Sequence, residues 1–224
     1  MERLMRVSGA RGMGKTVILN QLGRVARDRG WIVIDEIASK GFCERILDRL
    51  CARNAVDSVQ ISPSVFGISL GSVDVDRASP SLREAIAERL KTNKEGLLIT
   101  LDEVQDANLD EVRALAVAIQ QTISDDLSVA FVFAGLPSMI DRIVNAKTLT
   151  FLRRAVPEHL TALDDDEVRE SFAETIAKSG LSVSDEALDL MVEASAGYPF
   201  MMQLVGYCTW QAAHKRGSDA IEIE

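Results

Sequence analysis

The sequence is short of the residues that build several common classes of protein. Only three of its 224 residues are cysteine, and Cys43, Cys51 and Cys208 form no C-x-x-C pair. Because only two histidines could assist them, these thiols support neither a disulfide framework nor a zinc site. We expect them to pack as small apolar groups.

Aromatic residues and positive charge are also scarce. Aromatic side chains make up 5% of the chain, its formal net charge is -9 and its isoelectric point is near 4.9. Binding nucleic acid over a whole surface requires Lys and Arg to neutralise phosphate, and stacking on unpaired bases requires aromatic rings. The overall charge therefore does not support nucleic acid as a general partner, although it leaves a local basic patch open.

Long hydrophobic runs are missing as well. No apolar stretch approaches the roughly 18 to 20 residues of a membrane span, and residues 1–6 leave no room for a signal peptide before the first motif. We therefore expect no membrane association and a cytoplasmic location. Hydrophobic residues nevertheless form 47% of the chain, which is enough for the core of one large domain, or of a larger and a smaller one.

What the sequence does contain is a phosphate-binding motif near its start. The stretch Gly9, Ala10, Arg11, Gly12, Met13, Gly14, Lys15 and Thr16 fits the Walker A pattern G-x-x-x-x-G-K-[ST], with Gly9, Gly14, Lys15 and Thr16 at its fixed positions. An apolar strand is predicted before this loop and a helix after it. Glycines let successive backbone N–H groups point inward, and the helix N-terminus adds positive partial charge at the same place.

Two side chains of this loop carry its expected chemistry. Lys15 is expected to contact the β- and γ-phosphates, and the Thr16 hydroxyl to bind Mg²⁺. The alternative is a glycine-rich turn before an ordinary helix. That alternative explains Lys15 poorly, because a cation at a helix N-terminus opposes the helix dipole unless an anion lies there.

A second motif follows an apolar run at residues 97–101. The run ends in Asp102 and Glu103, as in a Walker B motif. The carboxyl ends of parallel strands form the ligand-binding edge of an open sheet, so Asp102 is expected to hold Mg²⁺ and Glu103 to act as general base toward water. The alternative is that both acids merely begin a loop.

The alternation of strands and helices predicts an α/β P-loop fold. Residues 1–163 are predicted to form the ATPase core, a parallel, helix-covered sheet of about five strands whose last strand lies at 158–163. Residues 164–224 are predicted to form a helical lid subdomain without strands. The weaker pattern at 54–80 is interpreted as irregular strands or a surface loop.

Arg153 and Arg154 precede the last predicted strand. An arginine is always charged and can donate two hydrogen bonds to one phosphate, which suits stabilisation of a phosphoryl-transfer transition state. This pattern favours an arginine finger, and the alternative is a solvated surface pair.

Taken together, the two Walker segments, the arginine pair and Gly197-Tyr198-Pro199 resemble the AAA+ and STAND ATPases. The likeness spans nearly the whole chain and is greatest to bacterial and archaeal ATPases related to origin-recognition and transposition-type ATPases. It implies ATP or ADP with Mg²⁺, and often assembly, so a homo-oligomer or a protein partner is expected. A G-x-P turn lies against the nucleotide in STAND lids, which implies Tyr198 and Pro199 as contacts; helix capping by this turn is the alternative.

This chain also departs from the family pattern after one of its predicted strands. Many such ATPases carry a polar sensor of the γ-phosphate after the strand predicted at 127–134, whereas this chain has Ala134 and Gly135, with Ser138 the nearest hydroxyl. The guanine motif N-K-x-D is missing too, so guanine recognition is unsupported.

Two main hypotheses and a third follow from these residues. In the first, Lys15, Thr16, Asp102 and Glu103 hydrolyse ATP, and a neighbouring subunit lends Arg153 or Arg154. In the second, the protein is a nucleotide-gated signalling or scaffold module with negligible turnover. The third is a loader that acts on nucleic acid through a partner. We also expect either a further domain after residue 224 or a minimal stand-alone ATPase.

Overall fold

The computed structural model describes residues 3–52, 80–92 and 95–222. The weak pattern at 54–80 thus lies outside the described residues except for Pro80. The chain divides into two compact units, one formed by Met1–Arg6 and Leu19–Pro157 and the other by Val7–Ile18 and Glu158–Glu224. The domain boundary after residue 163 stays a prediction.

A sheet of parallel strands connected by helices runs mostly through the first unit, although residues 7–8, 15–18 and 158–159 of its elements belong to the second. Its five strands hydrogen-bond in the order β2-β3-β4-β1-β5, which confirms the predicted P-loop α/β architecture. The elements are β1 (Leu4–Ser8), α1 (Lys15–Asp28), β2 (Ile32–Ile37), α2 (Phe42–Cys51), α3 (Leu82–Thr92), β3 (Leu97–Asp102), α4 (Leu109–Ser124), β4 (Val129–Gly135), α5 (Pro137–Asn145) and β5 (Val156–His159).

Strand β3 forms the centre of this unit's core because its neighbours cover it on both edges. All six of its residues are buried, as expected for a parallel strand with helices on both faces of the sheet. Ile99 pairs in register with Ile34 of β2 and with Phe131 of β4. This packing fixes the point at which Asp102, the last residue of β3, leaves the sheet.

Local side-chain signals mark the starts of three helices. The Ser81 backbone N–H donates to Glu84 Oε2 at 2.9 Å, and the Glu84 N–H donates to Ser81 Oγ at 3.3 Å, forming a capping box at α3. The backbone hydrogen bond from Ser81, followed by its hydroxyl bond, lowers the pKa of Glu84. Asn108 caps α4, and Pro137 is the first residue of α5.

The prediction that all three cysteines pack as small apolar groups is wrong for two of them. Cys43 is half-buried, whereas Cys51 at the end of α2 and Cys208 are exposed. Burial, with the charge of Glu111 as the next cause, raises the pKa of the Cys43 thiol to about 11. All three are free thiols, in line with the predicted lack of a disulfide framework.

The second unit has its own small hydrophobic core. Its helices bury Val168, Phe172, Leu188 and Met191. The elements beyond β5 are α6 (Asp165–Lys178), β6 (Ser182–Val183), α7 (Asp185–Ser195), α8 (Pro199–Arg216) and β7 (Ala220–Ile221). Helix α6 begins at a capping box between Asp164 and Glu167.

Two sequence-based expectations about strands near and within this unit are wrong. The segment after residue 163 is not free of strands, because β6 and β7 pair in parallel, with Ser182 opposite Ala220. Two-residue strands are too short to show a periodic pattern. The strand predicted at 158–163 instead begins at Val156 and ends at His159. Across the described ranges, none of the helices is both long and apolar enough to cross a membrane.

Candidate functional site

The loop at residues 9–16 adopts its shape because glycines occupy the positions with left-handed backbone. Gly12 has φ of 80° and Gly14 has φ of 84°, angles that residues with a Cβ rarely adopt. Helix α1 then begins at Lys15, and the Ile18 N–H donates to the Gly14 carbonyl at 3.1 Å. The loop therefore leads directly into the N-terminus of α1, where helices commonly bind anions.

Lys15 lies inside this loop. Its side chain is 6% exposed, and Nζ donates to the carbonyls of Gly9 at 3.0 Å and Ala10 at 2.9 Å. Over the described part of the chain no carboxylate lies within ion-pair distance of Lys15. A buried ammonium at a helix N-terminus, bound only by neutral carbonyls, favours an anion as its missing partner.

The turn Ala196–Phe200 contacts the loop through a residue that the sequence did not single out. The Phe200 backbone N–H donates to the Gly12 carbonyl at 3.1 Å, and a Cβ added to Gly12 would lie 2.9 Å from Phe200 Cβ. Tyr198 is 41% exposed, and Pro199 is the first residue of α8. Nucleotide contact by Tyr198 and Pro199 stays a prediction.

Gly197 fixes this turn to the segment after β5. It has φ of 72°, and its carbonyl accepts the Leu163 N–H at 2.9 Å. A Cβ at this position would lie 2.3 Å from the Leu163 carbonyl oxygen, far closer than atoms approach without displacement. The glycine of the G-x-P sequence is therefore required by close backbone approach as well as by its left-handed conformation.

The acidic pair in the first unit lies where β3 leaves the sheet. Asp102 is 7% exposed, and its Oδ1 accepts the Glu103 N–H at 2.8 Å. The Asp102 carbonyl also accepts the Ala38 N–H at 2.9 Å, which holds this strand end against the segment after β2. Thr16, the other predicted metal ligand, is exposed on the first turn of α1.

Glu103 has an uncommon backbone conformation. It has φ of 56° and ψ of 42° and precedes the 3₁₀ helix Val104–Asp106. Non-glycine residues in this left-handed region cost free energy and are concentrated at functional sites. The Gln105 amide donates to Glu103 Oε2, so the carboxylate has a specific side-chain partner that the sequence motif did not reveal.

The two predicted arginines differ in their contacts. Arg153 Nε donates to the Val144 carbonyl near the end of α5 at 3.1 Å. Arg154 is exposed, and its guanidinium makes no ion pair within the described ranges. Both lie at the end of the 3₁₀ helix Thr150–Arg154 and both are exposed, so they differ in the hydrogen bond that holds Arg153 to Val144.

Solved structures with this fold include three P-loop ATPases. Cdc6 of Pyrobaculum aerophilum is 17% identical with a TM-score of 0.67, over 97% of this chain and 57% of that chain. The Holliday junction branch migration motor RuvB of Thermotoga maritima is 14% identical with a TM-score of 0.59, over 98% of this chain and 58% of that one. Domain III of the Thermotoga maritima replication initiation protein DnaA is 13% identical with a TM-score of 0.56, over 100% and 80%.

The chain has the fold of the AAA+ P-loop ATPases. It spans less than three fifths of the Cdc6 and RuvB chains. No protein-family model and no curated protein matches the sequence. Similarity at these identities establishes the fold, which is the one expected from the Walker motifs.

Proposed function

We propose that this protein binds ATP and hydrolyses it to drive a conformational change or assembly. The observation that carries the proposal is Lys15, a buried ammonium held by two carbonyls in a glycine loop at the N-terminus of α1. Backbone N–H groups, the helix dipole and this cation all favour a polyphosphate. The absence of a guanine motif favours adenine.

The residues fit Mg²⁺ as the accompanying metal. The described residues contain no group of three or more His, Cys, Asp or Glu side chains that could hold a metal by themselves. Mg²⁺ is usually bound by only one or two protein oxygens together with substrate phosphates, and the Walker motifs assign this role to the Thr16 hydroxyl and the Asp102 carboxylate. When bound, the metal would neutralise charge on the phosphates.

Glu103 is the proposed general base. Its carboxylate accepts a proton from the attacking water as the water oxygen forms a bond to the γ-phosphorus and the bond to the ADP oxygen breaks. Its left-handed backbone supports this role, because such strain is retained mainly at functional positions. Lys15 and the loop N–H groups would hold the phosphates during the same step.

The test compares the wild-type protein with Glu103→Gln. We expect the wild type to release phosphate from Mg·ATP, and we expect the variant to bind ATP normally but hydrolyse it about 100-fold to 10,000-fold more slowly. Glu44→Gln, which removes the same charge from an exposed position on α2, is the matched control. Equal turnover in wild type and Glu103→Gln would contradict the assigned base.

We further propose Arg154 as the residue offered to a neighbouring copy. Both arginines are exposed and neither makes an ion pair within the described residues. Arg154 is favoured because Arg153 is bound to the Val144 carbonyl. Mixing Lys15→Ala with Arg154→Ala should restore part of the activity that each lacks, because one mixed interface then contains an intact loop and an intact arginine. No recovery at any protein concentration would contradict an arginine supplied by another copy.

A nucleotide-gated module with negligible turnover is the second candidate. The hydrogen bond from Phe200 to Gly12 favours it, because a bond between the lid turn and the phosphate loop gives bound nucleotide a direct way to alter the lid. Hydrogen exchange at the Phe200 amide, measured with ADP and with ATP, tests this coupling. Tight retention of nucleotide with nucleotide-dependent exchange and no phosphate release would favour the module over the ATPase.

A further inference from the structure

The end of β4 has no room for a polar side chain. Its last two residues are Ala134, which is fully buried, and Gly135. A Cβ on Gly135 would lie 2.6 Å from Val104 Cγ2 and 3.1 Å from Gln105 Oε1. The turn after β3 therefore occupies the space beside the end of β4, and the nearest polar side chain there is Gln105.

Gln105 connects this strand end to Glu103. The Leu136 N–H donates to Gln105 Oε1 at 3.4 Å, while Gln105 Nε2 donates to Glu103 Oε2. A backbone N–H can only donate and an ionised carboxylate can only accept. Each partner thus requires the same orientation of the amide, so the two hydrogen bonds support one another.

The backbone around Glu103 is already fixed. Its N–H is bound to Asp102 Oδ1 at 2.8 Å, and its carbonyl accepts the Asp106 N–H at 3.0 Å. The remaining freedom lies in the side-chain torsions of Glu103. A hydrogen bond to one carboxylate oxygen restricts those torsions and leaves Oε1 as the oxygen available to water.

We propose that Gln105 is a positioning residue that orients the Glu103 carboxylate for proton abstraction from water. The inference rests on the proposed ATPase function. It goes beyond that function because it gives Gln105, in the turn after β3, the role expected of a polar residue at the end of β4. Misplacement of a catalytic group by about 1 Å can cost 100-fold in rate, so this contact is large enough to measure.

Two variants of Gln105 separate positioning from support of the turn. Gln105→Met removes both hydrogen bonds at similar length. Gln105→Glu keeps an acceptor for the Leu136 N–H but replaces the donor to Glu103 with a second carboxylate oxygen. If Gln105 orients Glu103, both variants should be slow. Gln105→Met carries no charge, so a loss in that variant cannot come from repulsion between two carboxylates.

The experiment measures single-turnover hydrolysis and Mg·ATP affinity for both variants, with Gln120→Glu at an exposed position of α4 as the control for added charge. We expect kcat to fall about 10-fold to 100-fold in both, with KM for ATP changed less than about twofold, since only the chemical step loses an interaction. Thermal melting checks that each variant is folded.

A double-mutant cycle provides the decisive readout. In a Glu103→Gln background, changing Gln105 should have no further effect on turnover, because the two residues act as a unit. Turnover in Gln105→Met equal to or above wild type, normal turnover in Gln105→Glu, or additive losses with Glu103→Gln would each overturn the role of Gln105 alone. A wild-type protein that binds Mg·ATP without releasing phosphate would overturn the proposed ATPase and this role together.

Discussion

The loop Gly9–Thr16 and the acidic turn Asp102–Gln105 hold their charged groups in different ways. The loop holds Lys15 with carbonyls that lie five and six residues earlier in the chain. The acidic turn holds Glu103 with Gln105, whose amide is in turn oriented by Leu136 at the end of another strand. A local sequence pattern can therefore specify the first arrangement, whereas the second depends on how β3 and β4 pack.

Among the substitutions that test this comparison, Lys15→Ala is expected to have the largest effect. Removing the ammonium eliminates charge-assisted hydrogen bonds to phosphate worth about 3 kcal/mol, so Mg·ATP affinity should fall about 100-fold. Equilibrium binding of a fluorescent ATP analogue measures it. Lys147→Ala, at an exposed position, should bind normally, and unchanged affinity in Lys15→Ala would remove the basis of the proposed function.

Gly135→Ala is expected to disturb the acidic turn without altering any charged group. The added Cβ meets Val104 and Gln105, and such overpacking costs about 1 to 3 kcal/mol of unfolding free energy. Turnover should fall about 10-fold while ATP affinity is kept, since Glu103 is displaced and the loop is not.

Urea denaturation and single-turnover kinetics measure the two effects of Gly135→Ala. The control is Gly23→Ala within α1, where the nearest atoms to an added Cβ include the flexible end of Arg27 and where alanine favours the helix. Wild-type kinetics in Gly135→Ala would show that the turn tolerates displacement.

Gly14→Ala should disturb the loop for a purely local reason. No atom of the described residues lies within 4 Å of a Cβ added there, but φ is 84°, so alanine costs about 1 to 2 kcal/mol through backbone strain alone. Gly180, with φ of 83° and similarly open surroundings, is the matched control.

Both alanine variants should lower the midpoint of urea unfolding by similar amounts, but only Gly14→Ala should weaken ATP binding. Equal loss of ATP binding in Gly14→Ala and Gly180→Ala would mean that the loop shape has no special role. A stability loss much larger in Gly14→Ala than in Gly180→Ala would contradict backbone strain as its only cause.

The smallest expected effect concerns Glu84 in the capping box of α3. Its pKa is lowered in the folded protein, so the ionised side chain adds stability above the unfolded pKa, near 4.3, and that stability is lost as pH falls through the folded pKa. Wild type should therefore melt at a higher temperature than Glu84→Gln at pH 7, and the two melting temperatures should converge as the pH falls below the folded pKa.

The exposed Glu170→Gln on α6 corrects for the change in net charge in this measurement. A difference between wild type and Glu84→Gln that grows as the pH falls would have the wrong sign and would contradict the stabilising role of the ionised carboxylate.

The sequence by itself determined the features that depend on neighbouring residues. The Walker loop, the buried run of β3, the capping box of α3 and the first residue of α5 were all readable because each depends on residues only a few positions apart. The parallel sheet of five strands also followed, since alternating strands and helices permit few other topologies.

Only the tertiary structure decided which side chains join these local features. Gln105 follows Glu103 by two residues, yet nothing in the sequence shows that its amide turns back to the carboxylate, because that depends on the Leu136 N–H and on Gly135 leaving space. Phe200 bonds to Gly12, 188 positions away in the chain numbering, and no periodic pattern encodes such a pairing. The conformation of a loop or helix start depends on residues close by in the sequence, whereas the orientation of a catalytic side chain depends on residues that folding brings to it.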